Sequence, residues 1–157
     1  MAQGRFQFTC DRVFESTIRS CAEIKRKNED ATWIDAGFVK AYDQLHQLGY
    51  AHSFEAWQDE QLVGGLYGIA IGSVFFGESM FAKKSNASKA AFIKAVGFLE
   101  ENGFRLIDCQ VSTDHLTSFG AEAMSKKNYL LTLTEWTSPG RLDGINWNDI
   151  FLQYISR

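Results

Sequence analysis

The chain has 157 residues, 45% of them hydrophobic and 14% aromatic, with a formal net charge of −3. That length suits one domain with a sizeable core, and the negative balance excludes a protein that coats nucleic acid through overall basicity. A single proline, and three cysteines with no CxxC pair, exclude a Pro-rich tract and a disulfide framework, so the thiols are expected to be ordinary buried ones in a reducing, cytoplasmic setting.

Phe6 and Phe8 alternate with polar neighbours and predict a short strand. Asp11 is placed to cap a helix carrying Phe14, Ile18, Cys21 and Ile24 on one face, with Lys25-Arg26-Lys27 at its end. After Thr32-Trp33-Ile34, Asp35 is expected to cap a second helix with the stripe Phe38, Tyr42, Leu45 and Leu48, stopped at Gly49. From residue 50 the period changes to two. Three strands follow as an antiparallel meander: the first turns at residues 58–61, the second spans Leu62 to Ile71, and Gly72-Ser73 turns into the third, Val74 to Phe81. Residues 85–89 open the strongest helix, with Phe92, Val96 and Leu99 on one face, Ile93 on its flank and Gly103 after its end.

A strand over 104–111 comes next, then a short helix capped by Thr113 or Asp114. The segment 129–133 fits either period. The tail with Trp147, Ile150, Phe151 and Tyr154 suits a docked helix or a loose end. The order of elements describes an α+β fold with a mixed, mostly antiparallel sheet flanked by helices, one domain over 1–157. No apolar run reaches transmembrane length. His46, His52 and His115 are scattered without metal-ligand spacing, so no metal is expected.

Asp108 and Gln110 stand two apart on the expected strand and should project from the same face. An acid and an amide on a half-buried strand are costly unless hydrogen-bonded or used. Read alone, the pair fits a strand-end turn as well as a functional site. Glu78 follows a glycine and precedes a serine, which presents its carboxylate at a strand end.

Several stretches together resemble one family, the leucyl/phenylalanyl-tRNA–protein transferases. They are Thr32-Trp33-Ile34, His52-Ser53-Phe54-Glu55-Ala56-Trp57, Leu62-Val63-Gly64-Gly65-Leu66-Tyr67-Gly68, Gly77-Glu78-Ser79-Met80-Phe81, Asn86-Ala87-Ser88-Lys89, Ile107-Asp108-Cys109-Gln110 and His115-Leu116-Thr117-Ser118-Phe119-Gly120-Ala121. Each is weak alone; their order and spacing carry the likeness, which runs from about Phe6 to Leu133. The resemblance implies the family's acetyltransferase-like (GNAT) catalytic domain, with its small N-terminal domain expected to be missing. It implies transfer of Leu or Phe from aminoacyl-tRNA to the α-amino group of proteins beginning with Arg or Lys, which marks them for degradation. No cofactor is expected, because the ester to tRNA is already activated.

By the same resemblance, Asp108 and Gln110 form a relay in which the carboxylate orients the amide toward the attacking amine. Glu78 and Tyr42 recognise the acceptor's basic end. Leu66, Met80, Phe92 and Ile107 line the pocket for the aminoacyl side chain, and Trp33 stacks on the terminal adenosine. Two other readings compete: an acyl-CoA N-acetyltransferase, and a non-catalytic module for basic N-termini. The first would want a glycine-bearing pyrophosphate loop, and residues 83–89 contain no glycine.

Overall fold

The computed structural model describes residues 6–24, 36–139 and 142–157. Trp33, the Lys25-Arg26-Lys27 cluster and Asp35 lie outside these, and with them the adenosine-stacking and second-cap expectations. In chain order the elements are β1 (Gln7–Cys10), α1 (Phe14–Glu23), α2 (Ala36–Gln47), β2 (Ala51–Gln58), β3 (Gln61–Ile71), β4 (Val74–Ala82), α3 (Ala87–Glu101), β5 (Leu106–Asp108), α4 (Asp114–Thr117), α5 (Lys126–Trp136) and α6 (Trp147–Ile155).

The strands form one sheet in sequence order. β1 to β4 pair antiparallel, and β4 pairs with β5 in parallel, the return being made through α3. The hairpin between β2 and β3 turns on Asp59 and Glu60, both at positive φ (51° and 60°), which matches the twist of the flanking strands. Two clusters cover the two faces of the sheet. On one, α3 and α6 pack Ala87, Ala91, Ala95, Phe98, Leu99, Trp147 and Phe151 against Phe54, Leu66 and Phe75. On the other, α1 and α2 pack Phe14, Ile18, Cys21 and Val39 against Tyr67 and Phe81.

The expected order of elements is present, three local expectations are corrected, and one left open is settled. Asp11 does not cap α1. It sits at φ +56°, and its carboxylate takes the Ser53 N–H at 2.8 Å and faces His52 Nδ1 at 2.7 Å, because these groups on β2 compete for it. The buried face of α3 is its alanine row with Phe98 and Leu99; Phe92 is half-buried and Ile93 is 53% exposed. Small side chains win that face because α3 lies close on the sheet. A Cβ on Gly64 would stand 2.6 Å from that of Ala87. The strand expected over 104–111 is only Leu106–Asp108. The ambiguous segment 129–133 lies inside helix α5, capped by Ser125, whose Oγ accepts the Asn128 N–H.

The tail docks: Trp147 and Phe151 of α6 are buried in the core. Trp147 stacks on His52 with ring centroids 3.6 Å apart. No helix of the described residues is long and apolar enough to cross a membrane.

Candidate functional site

Two irregularities of the sheet create the site. β4 holds β5 only through Val74, Phe75 and Phe76, opposite Leu106, Ile107 and Asp108. Past Gly77 the strands part, and the remainder of β4 is paired to β3 alone. At the same point β3 and β4 slip register: Tyr67 faces Ser79 and Gly68 faces Gly77, so Glu78 is the extra residue of a β-bulge. The notch therefore has Glu78 on one side and the end of β5 on the other.

The bulge decides where Glu78 points. Met80 packs into the α3 face, and strict alternation back along β4 would send residue 78 to that face too. One inserted residue shifts the phase and turns Glu78 toward α2. There the Tyr42 hydroxyl donates to its carboxylate, and burial, with Glu78's charge and this bond, pushes the phenol well above its ordinary value. Tyr42 is itself held by stacking on Phe38 (4.2 Å) and by an edge contact to Tyr67 (5.6 Å). The two residues expected at the acceptor's basic end are thus in direct contact.

Leu66, Met80, Phe92 and Ile107 all meet in the α3-face cluster, where Leu66 and Met80 are cross-strand partners. Leu66 is 3% exposed, closed inside the core, whereas Met80, Phe92 and Ile107 are half-buried at its rim. Phe92 also touches Phe119 just after α4 (5.4 Å), with Lys89 over the same ring (5.1 Å).

Asp108, next to Ile107 on β5, faces away from that pocket by strand alternation. It is half-buried and fully engaged: Oδ1 accepts the main-chain N–H of Gln110 at 2.7 Å, and Oδ2 accepts the Tyr129 hydroxyl at 2.6 Å. Gln110 is exposed and stands at φ +63°, a conformation unusual for a residue other than glycine. The two residues expected side by side on a strand form a strand-end turn instead, and their contact runs through the backbone of Gln110, not its side-chain amide. The reason is that β5 loses its β4 partner at Asp108, so the freed N–H two residues on takes the nearest carboxylate.

This turn floors an open cleft of about 840 Å³, walled by residues 106–112 on one side and by 120–124, Lys126 and Tyr129 on the other. Of the expected site residues it includes Ile107, Asp108 and Gln110. Tyr129 was not singled out by sequence, since a partner 21 residues away in a segment of ambiguous period leaves no local signal. Its hydrogen bond to Asp108, with burial and the carboxylate's charge, pushes its phenol up to about 12, so it is a firm donor at neutral pH.

A separate polar cluster forms where spacing suggested none. Ligand-type atoms of Asp11, His46 and His52 lie within 4.8 Å of one another. His46 Nδ1 is 2.8 Å from the Ala51 carbonyl, and the two ring nitrogens of His52 face Asp11 and the Gly49 carbonyl. With these nitrogens engaged on protein oxygens, the cluster reads as a brace between β1, β2 and the end of α2.

Comparison with known proteins gives the chain's relatives. The chain is 51% identical over 142 residues to the leucyl/phenylalanyl-tRNA–protein transferase of Syntrophobacter fumaroxidans, a match covering 90% of this chain and 60% of that protein. It is 54% identical over 129 residues to that of Ectopseudomonas mendocina, covering 82% of this chain and 57% of that protein. It thus spans about three-fifths of the length of these curated relatives.

Among solved structures it resembles an aminoglycoside acetyltransferase from an uncultured soil metagenomic sample (TM-score 0.54, 15% identity, 77% of this chain and 91% of that one). It also resembles the ribosomal-protein-alanine N-acetyltransferase of Brucella melitensis (TM-score 0.55, 12% identity, 78% and 93%). These likenesses establish an acetyltransferase-like fold and nothing further. The family model for leucyl/phenylalanyl-tRNA protein transferase matches residues 1–134, and the chain belongs to that family.

Proposed function

We propose that this chain carries an aminoacyl-transfer centre, moving Leu or Phe from the 3′ end of aminoacyl-tRNA to the α-amino group of a protein that begins with Arg or Lys. The product, with its new N-terminal residue, is then marked for degradation. The observation that carries this reading is the notch between β4 and β5, which has an apolar pocket on one face of the sheet and a carboxylate on the other. A transferase joining an apolar donor to a cationic acceptor needs those two environments on either side of one reacting point.

In this reading Leu66, Met80, Phe92 and Ile107 receive the donor side chain, with flexible Met80 accommodating either Leu or Phe. Discrimination against branched Val or Ile by shape is worth only about 1–3 kcal/mol. Glu78, steadied by Tyr42, pairs with the acceptor's guanidinium or ammonium. The neutral amine attacks the ester carbonyl. A C–N bond forms, the C–O bond to the ribose breaks, and the amine's proton passes to the departing ribose oxygen. Gln110 is no strong base; its side-chain carbonyl, presented into the cleft, orients and polarises the amine N–H. Asp108 serves it by fixing the turn. The group leaving tRNA is already activated, so the centre uses no small cofactor. Trp33 is assigned to stacking on the terminal adenosine, worth roughly 1–3 kcal/mol.

The test is transfer of labelled Leu and Phe from charged tRNA to Arg-, Lys- and Ala-starting peptides, with acetyl-CoA as a competing donor. Transfer to the first two peptides only, reduced by two orders of magnitude or more in Gln110→Ala while peptide binding survives, is expected. Acetyl transfer with no aminoacyl transfer would overturn the assignment, and unchanged transfer in Gln110→Ala would remove that residue from the chemistry.

A further inference from the structure

We infer that Tyr129 is a positioning residue for the transfer step, holding Asp108 so that Asp108 can fix the left-handed turn that presents Gln110. The inference rests on the assignment of Asp108 and Gln110 made above and adds a residue that no part of that assignment uses.

Three observations support it. The Asp108 carboxylate is divided between two donors, Gln110 N–H on Oδ1 and Tyr129 O–H on Oδ2, at 2.7 and 2.6 Å. Gln110 at φ +63° adopts a backbone state that a side-chain-bearing residue holds only when its surroundings impose it. Two contacts hold it here, the Asp108 carboxylate on its own N–H and the Val111 N–H on the Cys109 carbonyl across it (2.7 Å); without its second anchor the carboxylate is free to rotate about its own side-chain bonds away from the Gln110 N–H.

The third observation is how α5 is attached. It has no fully buried side chain. Its C-terminal end is fastened to the sheet: the Ser73 N–H and hydroxyl both donate to the Trp136 carbonyl, and Arg105 lies 4.1 Å over the Trp136 ring. Its first turn carries Tyr129, and the hydrogen bond to Asp108 ties that end to β5. The phenol therefore joins the wall of the cleft to its floor. Tyr129 needs no contact with substrate to do this. It acts through Asp108, and its effect belongs to the geometry of reaction rather than to the binding of either partner.

The experiment uses the full chain and the variants Tyr129→Phe, Asp108→Ala and the double variant, with Gln110→Ala alongside. Tyr129→Phe keeps the ring and removes only the hydroxyl. The expected result is a fall of about tenfold in kcat, the scale of one hydrogen bond to a charged group, with KM for charged tRNA and for an Arg-starting peptide changed less than about twofold. In the Asp108→Ala background the same change should cost nothing further, because the hydroxyl works only through that carboxylate. The backbone amide resonance of Gln110 reads the same coupling without activity: it should move and lose exchange protection in Tyr129→Phe.

An undiminished kcat, a loss confined to KM, additive losses in the double variant, or an unmoved Gln110 amide would each overturn the inference. Full activity in both Asp108→Ala and Gln110→Ala would instead overturn the assignment beneath it. Collapse in those two with an intact Tyr129→Phe sinks the positioning role alone.

Discussion

Glu78 shows how a single inserted residue changes the face that a side chain reaches. Its type and its Gly-Glu-Ser setting are visible in sequence, but the face it occupies is not, because periodicity assumes an unbroken ladder and the bulge breaks it at this residue. The contact with Tyr42 then supplies a testable asymmetry. Glu78→Gln keeps an oxygen for the Tyr42 hydroxyl and removes the charge, so kcat/KM for Arg- and Lys-starting peptides should fall about 10- to 100-fold, the ~1.5–3 kcal/mol of a hydrogen bond to a charged group. Tyr42→Phe should lower it by less, since the carboxylate remains. Equal rates for Arg- and Ala-starting peptides in the parent chain would deny Glu78 this role.

Asp108 gives the complementary lesson. Sequence identified the pair Asp108–Gln110 and offered a strand-end turn beside a relay; the structure has the turn, with the carboxylate spent on backbone and phenol. Asp108→Asn retains an oxygen to accept the Gln110 N–H, so it should keep clearly more transfer than Asp108→Ala. Equal loss in both would return the charge itself to the mechanism.

At the scale of elements, turns and helix stops were the legible part. The meander followed from residues 58–61 and Gly72-Ser73, and α3 from its stop at Gly103 (φ +83°). What sequence did not reveal is close approach. The alanine row of α3 looks unremarkable beside Phe92 and Val96, yet it is the face that meets the sheet, because Gly64 removes the one Cβ that would hold the helix off. Gly64→Ala would put that Cβ 2.6–2.8 Å from Ala87 and the Ser88 backbone nitrogen. Backbone cannot yield as a side chain does, so α3 must move. Overpacking of this kind typically costs about 1–3 kcal/mol, and urea unfolding should show it. The same displacement reaches Phe92, so KM for Phe- and Leu-charged tRNA should rise together in this variant. A variant as stable as the parent would show that α3 is not seated by that contact. The short β5 and the helical α5 were illegible for a related reason: where a strand stops depends on whether its neighbour is still beside it, and β4 diverges at Gly77.

The molecule as a whole is a sheet with differently chemical faces, and among the described residues one carboxyl, that of Glu55, is fully buried within it. Glu55 on β2 is fully buried on the α1 side, taking hydrogen bonds from the hydroxyls of Ser53 and Thr9, with the Trp57 indole N–H donating in turn to Thr9. Burial outweighs these donors and raises its carboxyl from 4.5 to about 7. The sign of the consequence is the reverse of that for a salt-bridged acid. Between pH 4.5 and 7 the folded chain keeps a proton that the unfolded chain has released, so stability falls as pH rises through this window and levels off above it. One such group contributes a slope of at most about 1.4 kcal/mol per pH unit. Glu55→Gln carries no titrating proton and can still bond Ser53 and Thr9. Unfolding free energies of the parent and of this variant, measured in urea from pH 4.5 to 8, should therefore converge as pH falls and separate in the variant's favour as it rises. A difference independent of pH, or one of opposite slope, would mean that Glu55 is ionised in the folded chain throughout and that its brace between β1 and β2, not its proton, is what the fold retains it for.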